Sequence, residues 1–301
     1  MHRRSFCAKL AGSLLLQALP FRADTLTSES FDIRSIPADL VVPAMEQSRP
    51  APGKRVRGVL PKYAGTQVHH ALYLPADWQP RRRFPVIVEY PGNGPLTSPF
   101  GDFSSGDVDD CALGYGASGG AGYLWLTLPF INKTHTGNQL WWWGDVDATL
   151  DYCRRALKVT CKDFGGDMSS VLLCGFSRGA IACNYIGLHN DRMAKLWAGF
   201  FTSSHYDGVR RWNWPGSDIA AAHERLKRLK GRPTFIAQEN STSDIEAYLS
   251  NSGVSAPRVF QPLPFHNHTD TWVLRDIPAR AALRRWLNSI GMEARTGAYL
   301  K

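Results

Sequence analysis

The chain has 301 residues, of which 44% are hydrophobic, so it is long enough to form one large domain with a substantial core. The formal net charge is +9, but the basic residues are spread along the chain apart from two short clusters, so we do not expect a nucleic-acid-binding protein. After the first residues, no apolar run is long enough for a transmembrane helix, so we expect no stable membrane insertion.

The N-terminal residues have the composition of a targeting segment. Residues 1–4 are basic, and residues 10–21 form a mostly apolar run that is too short to span a bilayer. The sequence Arg-Arg-Ser-Phe at residues 3–6 resembles a twin-arginine export signal. We therefore expect residues 1–23 to be an export signal and the protein to be periplasmic or extracellular. Because this segment holds four basic residues and no acidic one, its removal lowers the net charge from +9 to +5.

The remaining chain divides into an arm and one domain. Residues 24–54 are rich in proline and show little periodicity, so we expect an arm that packs over a domain formed by residues 55–301. Strands are predicted at residues 56–60, 68–74, 85–90, 122–128, 171–174, 196–202, 234–237 and 258–262. Helices are predicted at residues 145–157, 180–185, 219–229, 245–249 and 278–290. Strands that alternate with helices predict a mostly parallel sheet with helices on both faces.

A long connection, residues 95–121, is rich in glycine, serine and aspartate, and we expect it to be a loop with one short helix. Five glycines lie within residues 114–122. No predicted strand leads into these glycines, so we expect them to permit tight turns rather than to bind a phosphate group.

The cysteines indicate neither a metal site nor a catalytic thiol. No Cys/His spacing matches a zinc site, and no cysteine lies in a turn between a strand and a helix. Cys153 and Cys161 are the best candidates for a disulfide, whereas Cys174 and Cys183 are expected to be buried apolar residues. The odd number of cysteines outside the export signal leaves Cys111 or another thiol unpaired. We expect no cofactor and no metal.

The most informative stretch is Gly-Phe-Ser-Arg-Gly at residues 175–179. It follows a short apolar run typical of a buried strand, and it precedes a helical segment of small residues. A Gly-x-Ser-x-Gly sequence between a strand and a helix holds its serine in a strained turn with an exposed hydroxyl. The N-terminus of the helix favours negative charge that develops there. We therefore predict that Ser177 is a nucleophile.

The order and spacing of these elements resemble the α/β-hydrolase fold over residues 56–290, and especially its secreted esterase branch of feruloyl-esterase and polyester-depolymerase-like proteins. The resemblance rests on residues 72–75, 86–94 and 166–179 and on the late histidines. It implies a mostly parallel, twisted sheet with helices on both faces. It also implies that an acid and then a histidine follow the nucleophile along the chain.

The base expected to accept the serine proton is a histidine on the loop after the last strand. His268 is preferred because it stands at the entry to the last helical region, and His266 is the alternative. Glu239 is the preferred acid because it closely follows a predicted strand. Asp207 follows the preceding predicted strand and is the runner-up, whereas Asp244 looks more like a residue in the first turn of a helix.

An oxyanion hole for such a nucleophile needs two N–H donors. The first is expected to be the backbone N–H of Arg178, the residue after the nucleophile. The second is expected from the loop after the strand at residues 85–90, where Gly92 or Asn93 is the candidate. Pro91 is excluded because proline has no backbone N–H.

The substrate-binding candidates are Trp141, Trp142 and Trp143, which follow a strand that ends at the same sheet edge as Ser177. Their flat, apolar faces suit sugar rings or aromatic acyl groups, although core packing is expected equally for two of the three. These features predict a secreted serine hydrolase that cleaves carboxylic esters through an acyl-enzyme, with a small-molecule or polysaccharide ester as substrate. A serine peptidase of the same fold and a non-catalytic binding protein are the alternatives. The oligomeric state is left open.

Overall fold

A computed structural model describes residues 30–292, so the predicted export signal, residues 1–23, lies outside the described residues. Among those described, no helix is long and apolar enough to cross a membrane. The strands are β1 (Met45–Glu46), β2 (Arg55–Gly58), β3 (His70–Tyr73), β4 (Phe84–Tyr90), β5 (Leu96–Thr97), β6 (Phe103–Ser104), β7 (Leu124–Thr127), β8 (Gly166–Phe176), β9 (Gly199–Ser203), β10 (Thr234–Glu239) and β11 (Arg258–Leu263). The α-helices are α1 (Leu113–Ser118), α2 (Val146–Phe164), α3 (Arg178–Tyr185), α4 (Asp191–Ala194), α5 (Ile219–Leu226), α6 (Ser243–Asn251) and α7 (Pro278–Ser289).

Nine of these strands form one sheet, in the order β1-β2-β3-β7-β4-β8-β9-β10-β11. β3 is antiparallel to both of its neighbours, and every other neighbouring pair in this sheet is parallel. Parallel neighbours need a crossover connection, which is usually a helix packed on a face of the sheet. β5 and β6 lie outside this sheet and pair with each other as a short antiparallel hairpin.

Two hydrophobic cores lie on opposite faces of the large sheet. Val86 and Val88 of β4 belong to one core, together with residues of α2 and α3. Ile87 belongs to the other core, together with residues of α1 and α7. Successive side chains of a strand point to opposite faces, which explains this division. The predicted α/β architecture, with a mostly parallel sheet and helices on both faces, is confirmed.

The helix α2 is longer than predicted, because it continues to Phe164 instead of ending near residue 157. It begins after Asp145, whose carboxylate accepts a hydrogen bond from the N–H of Ala148 at 2.9 Å. It ends at Gly165, which has the left-handed conformation, with φ of 78°, that commonly terminates a helix.

The extended helix contradicts the predicted disulfide. Cys153 and Cys161 both lie in α2, eight positions apart. That spacing separates their backbones by about 12 Å along the helix axis, which is too far for a disulfide bond. Both thiols are free and buried, so the predicted pairing is wrong.

Gly114 and Gly116, for which the sequence predicts tight turns, lie inside α1. A Cβ atom at Gly114 would be 2.2 Å from the ring of Trp125, and one at Gly116 would be 2.3 Å from the side chain of Val273. These positions therefore require glycine because the helix packs too closely on its neighbours to admit a side chain.

Candidate active site

Ser177 lies in the turn between β8 and α3, at the carboxyl edge of the large sheet. Its backbone has φ of 54° and ψ of −114°, a strained conformation for a residue with a side chain. The flanking glycines allow this turn. A Cβ atom at Gly179 would be 1.9 Å from the carbonyl oxygen of Tyr90, and one at Gly175 would be 2.2 Å from the backbone of Gly179. The turn therefore has the geometry of a nucleophile elbow.

His268 lies on the connection between β11 and α7, and its imidazole contacts both Ser177 and Glu239. Its Nε2 is 3.0 Å from the hydroxyl oxygen of Ser177. Its Nδ1 is 3.2 Å from Oε1 of Glu239. The ring also packs on Phe176, the residue before the serine, with 4.7 Å between ring centroids. The three polar side chains thus form one hydrogen-bonded series, which is the arrangement needed to move a proton away from the serine.

Glu239 is the last residue of β10, and its carboxylate is mostly buried. Burial alone would raise the pKa of this carboxyl, but the hydrogen bond and positive charge of His268, together with the hydroxyl of Ser204, lower it below its ordinary value. The Ser204 hydroxyl donates to Oε1, and the side-chain amide of Gln238 donates to Oε2 at 2.9 Å. Glu239 is therefore held as a carboxylate that can orient the imidazole.

The two alternative residues have other partners. The ring of His266 packs on Phe100 with 4.3 Å between centroids, and its backbone N–H donates to the carbonyl of Phe31. Asp207 is buried and accepts two hydrogen bonds from the guanidinium of Arg225, at 2.8 and 3.0 Å. Within residues 30–292, no hydrogen bond joins either residue to Ser177 or His268, so the structure does not bring His266 and Asp207 into the series.

The candidate oxyanion donors follow two neighbouring strands, β8 and β4. Arg178 is the first residue of α3, and in the described part of the chain its backbone N–H has no hydrogen-bond acceptor. Asn93 follows β4, and its side-chain oxygen accepts from the N–H of Trp142 at 2.8 Å, which ties this loop down. A Cβ atom at Gly92 would be 3.1 Å from the ring of Phe176, so a side chain there would crowd the elbow.

The side chain of Arg178 has a structural role that the sequence did not indicate. It is buried over the ring of Phe130, with 4.2 Å from the guanidinium carbon to the ring centroid. It donates to the carbonyls of Gln139, Trp142 and Gly106 at 2.8–3.1 Å. Burial lowers its pKa to about 9. This side chain therefore joins the loops around the nucleophile to the start of α3.

The three consecutive tryptophans have different environments. Trp141 is 45% exposed, and Trp142 is half-buried against Trp212, with 5.3 Å between ring centroids. Trp143 is buried in the core and stacks on Tyr185 at 4.4 Å. Trp143 therefore takes the core-packing alternative that was left open for two of the three tryptophans, because its ring faces are covered by core residues.

Two residues beside the series were not assigned a role from the sequence. The ring of His205 lies between those of Trp212 and His268, with centroid distances of 5.3 and 5.4 Å. Burial and the nearby His268 lower the pKa of His205 to about 4, so its imidazole is neutral at pH 7. Asp102, on the β5–β6 connection, accepts a hydrogen bond from the backbone N–H of His268 at 3.2 Å. Neither residue lies in a sequence motif, so each can be assigned to the site only from its position beside His268 in the structure.

One group of side chains away from this series has the spacing needed to approach a metal ion. The ligand atoms of His69, Asp107 and Asp109 lie within 4.8 Å of one another. Both ring nitrogens of His69 already have partners, because Nε2 is 3.1 Å from Asp109 and Nδ1 is 2.9 Å from the carbonyl of Gln67. An ion pair between His69 and Asp109 accounts for this arrangement.

No protein-family model and no curated protein matches the sequence. Solved structures do match. Esterase 2 of Thermogutta terrifontis, phosphorylated by paraoxon, has a TM-score of 0.54 at 13% identity over 81% of this chain and 97% of that one. A protein proposed to be a carboxylesterase, from Lactobacillus plantarum WCFS1, has a TM-score of 0.52 at 14% identity over 80% of this chain and 99% of that one.

A longer protein, proposed to be a dipeptidyl aminopeptidase IV from Bacteroides ovatus ATCC 8483, has a TM-score of 0.52 at 13% identity over 80% of this chain. This chain spans 36% of that protein and 63% of a thermostable esterase that it also resembles. At identities this low, the structural matches establish only the fold, and the reaction has to be argued from the site. Together with the sheet order and the elbow at Ser177, they show that the chain has the α/β-hydrolase fold.

Proposed function

We propose that this protein is a serine hydrolase that cleaves carboxylic esters through an acyl-enzyme. The observation that carries the proposal is the hydrogen-bonded series of Ser177, His268 and Glu239, with its serine in a strained turn at a helix N-terminus. A serine hydroxyl is a weak nucleophile until a base accepts its proton, and this series supplies both the base and the group that orients it.

The geometry suggests the following reaction. Nε2 of His268 accepts the Ser177 proton while Oγ attacks the ester carbonyl carbon, and Glu239 stabilises the imidazolium that forms. The N–H groups of Arg178 and of Asn93 or Gly92 donate to the oxyanion of the tetrahedral intermediate. The bond to the alcohol oxygen then breaks, and His268 returns its proton to that oxygen. Water, deprotonated by His268, attacks the acyl-enzyme in the same way and releases the acid.

An acylated polysaccharide is the substrate class that we propose, and an exported protein is the expected context for it. The exposed ring of Trp141 and the half-buried ring of Trp142 support this choice, because a flat apolar ring can pack against a sugar ring. A serine peptidase is the second candidate, since the dipeptidyl aminopeptidase-like neighbour matches the fold as well as the carboxylesterase-like one does. Parallel assays with acetyl esters and short peptides separate the two.

The nucleophile is tested by intact mass after incubation with a fluorophosphonate. We expect one adduct on the wild-type protein, none on Ser177→Ala, and a loss of ester hydrolysis on the order of 10³-fold or more in that variant. Ser169→Ala, which removes an exposed hydroxyl from β8, is the matched control and should label like the wild type. A folded Ser177→Ala protein that keeps most of its activity would show that the proposed reaction is wrong.

A further inference from the structure

The end of β9 contacts the segments that carry the residues of the proposed series. β9 lies between β8, which leads to Ser177, and β10, which ends at Glu239. The carbonyl of Ser203, the last residue of β9, accepts a hydrogen bond from the backbone N–H of Ser177 at 2.9 Å. The hydroxyl of Ser203 accepts from the indole N–H of Trp272 at 3.1 Å. Because Trp272 lies on the connection that also carries His268, Ser203 joins the turn of the nucleophile to the segment of the base.

Ser204, the next residue, contacts the acid. Its backbone N–H donates to the carbonyl of Ala237 in β10 at 2.9 Å. Its hydroxyl donates to Oε1 of Glu239, the same oxygen that lies 3.2 Å from Nδ1 of His268. The side-chain amide of Gln238 donates to the other carboxylate oxygen. Ser204 is fully buried, so solvent does not supply a second donor in place of its hydroxyl. The direction in which Oε1 points therefore depends on Ser204.

The backbone of Ser204 has a conformation that favours glycine. Its φ is 73°, in the left-handed region where a Cβ atom is crowded by the backbone. A glycine would form the same turn without this strain, but it would lack the hydroxyl that is bonded to Glu239. Strained residues of this kind cluster at functional sites, where the strain accompanies a required side-chain position.

We propose that Ser204 is a positioning residue for the reaction, whose hydroxyl holds Oε1 of Glu239 toward Nδ1 of His268. It acts through the carboxylate and does not touch the substrate. This inference rests on the proposed serine hydrolase and adds a fourth side chain to its series. A carboxylate that turns away stabilises the imidazolium less well in the transition state, so loss of the hydroxyl should lower kcat and leave substrate binding unchanged.

Two substitutions separate the hydroxyl from the backbone. Ser204→Ala removes the hydroxyl and keeps the strain, whereas Ser204→Gly removes the hydroxyl and relieves the strain. We expect each to lower kcat for p-nitrophenyl acetate roughly tenfold with little change in KM, because Gln238 still holds the other carboxylate oxygen. Ser170→Ala is the matched control and should keep the wild-type kcat. Ser170 is also buried, and its hydroxyl is 3.4 Å from the carboxylate of Asp167, in the part of β8 remote from the nucleophile.

A second measurement asks whether the hydroxyl acts through the acid. Ser204→Ala is repeated in the Glu239→Gln protein, where the carboxylate that it orients is already absent. We expect it to lower the remaining kcat there by less than about twofold, because two residues that act as one unit are not additive. An equal loss of kcat in both backgrounds would show that Ser204 does not act through Glu239, and would overturn the proposal.

The other outcomes also decide the matter. A kcat that is unchanged in Ser204→Ala, or that recovers in Ser204→Gly, overturns the role of the hydroxyl but keeps the serine hydrolase. Failure of both variants to fold, measured by circular dichroism, has the same meaning, because the hydroxyl would then be required for stability. A wild-type protein that hydrolyses no ester and forms no fluorophosphonate adduct overturns the serine hydrolase and the role of Ser204 together.

Discussion

Glu239 is a mostly buried carboxylate at the end of β10, Asp207 is a buried carboxylate after the neighbouring strand β9, and their partners differ. Glu239 contacts His268, whereas Asp207 contacts Arg225, whose guanidinium is also buried. Burial raises the pKa of Asp207, while the hydrogen bonds and charge of Arg225 oppose that effect. A buried carboxylate with a dedicated guanidinium partner is expected to contribute to folding rather than to proton transfer.

We predict that Glu239→Gln and Asp207→Asn separate activity from stability. Glu239→Gln should lower kcat by about 10³- to 10⁴-fold at nearly unchanged thermal stability, because the imidazolium loses its negative partner. Asp207→Asn should destabilise the protein by about 3–5 kcal/mol, since it leaves a buried guanidinium without its charge partner. Activity per folded molecule should stay near that of the wild type. Urea unfolding and active-site titration measure the two quantities, and the reverse ranking of activities would assign the acid to Asp207.

At the scale of elements, the hairpin of β5 and β6 is connected to the loop that carries His268. Asp102 accepts from the backbone N–H of His268 at 3.2 Å and from the side-chain amide of Asn267 at 3.0 Å. Asn267 is buried, and its side-chain oxygen accepts from the backbone N–H of Ile33 at 2.7 Å. The Asn267 amide and the Asp102 carboxylate thus join the N-terminal segment, the β5–β6 hairpin and the loop that carries His268. These hydrogen bonds hold the backbone of His268 beside Ser177.

We predict that Asp102→Ala lowers kcat roughly tenfold with little change in KM, because the His268 loop loses two hydrogen bonds that are worth about 1 kcal/mol each. Asp102→Asn should recover part of the loss, since its amide oxygen can still accept one of them. An unchanged kcat in a folded Asp102→Ala protein would contradict the role given to this carboxylate.

At the scale of the whole molecule, stability is coupled to pH through buried histidines. His70 lies in β3, is 7% exposed, and has its Nδ1 2.8 Å from the hydroxyl of Tyr152 in α2. Burial, with a smaller effect of neighbouring His69, lowers the pKa of His70 to about 4. The unfolded chain, with an ordinary histidine pKa near 6.5, therefore binds more protons than the folded chain between about pH 4 and about pH 6.5.

The sign of this difference means that the folded state loses stability as the pH falls through that window. We predict that His70→Gln reduces the change in unfolding free energy between about pH 7 and about pH 4.5 by up to about 3 kcal/mol. Urea unfolding of the two proteins at both pH values measures this change. His223→Gln, on the partly exposed face of α5, is the control and should behave like the wild type. Equal pH dependence in wild type and His70→Gln would show that His70 does not provide the coupling.

The sequence by itself determined the alternation of strands and helices and the position of the strained turn at Ser177. Both depend on neighbouring residues, through the periodicity of apolar side chains and the two glycines that a tight turn requires. The same local reasoning did not detect that α2 continues past residue 157, and so it predicted a disulfide between two cysteines that lie on one helix.

Only the tertiary structure decided which distant side chains meet Ser177. His268 is 91 positions from the serine, and Glu239 is 29 positions from His268, so their approach depends on sheet order and on the path of two loops. The sequence did not decide between His268 and His266 as the base, or between Glu239 and Asp207 as the acid. A residue's position after a strand does not specify where its side chain points. The sequence also could not separate the buried ring of Trp143 from the exposed ring of Trp141, since burial depends on what other segments pack against each face.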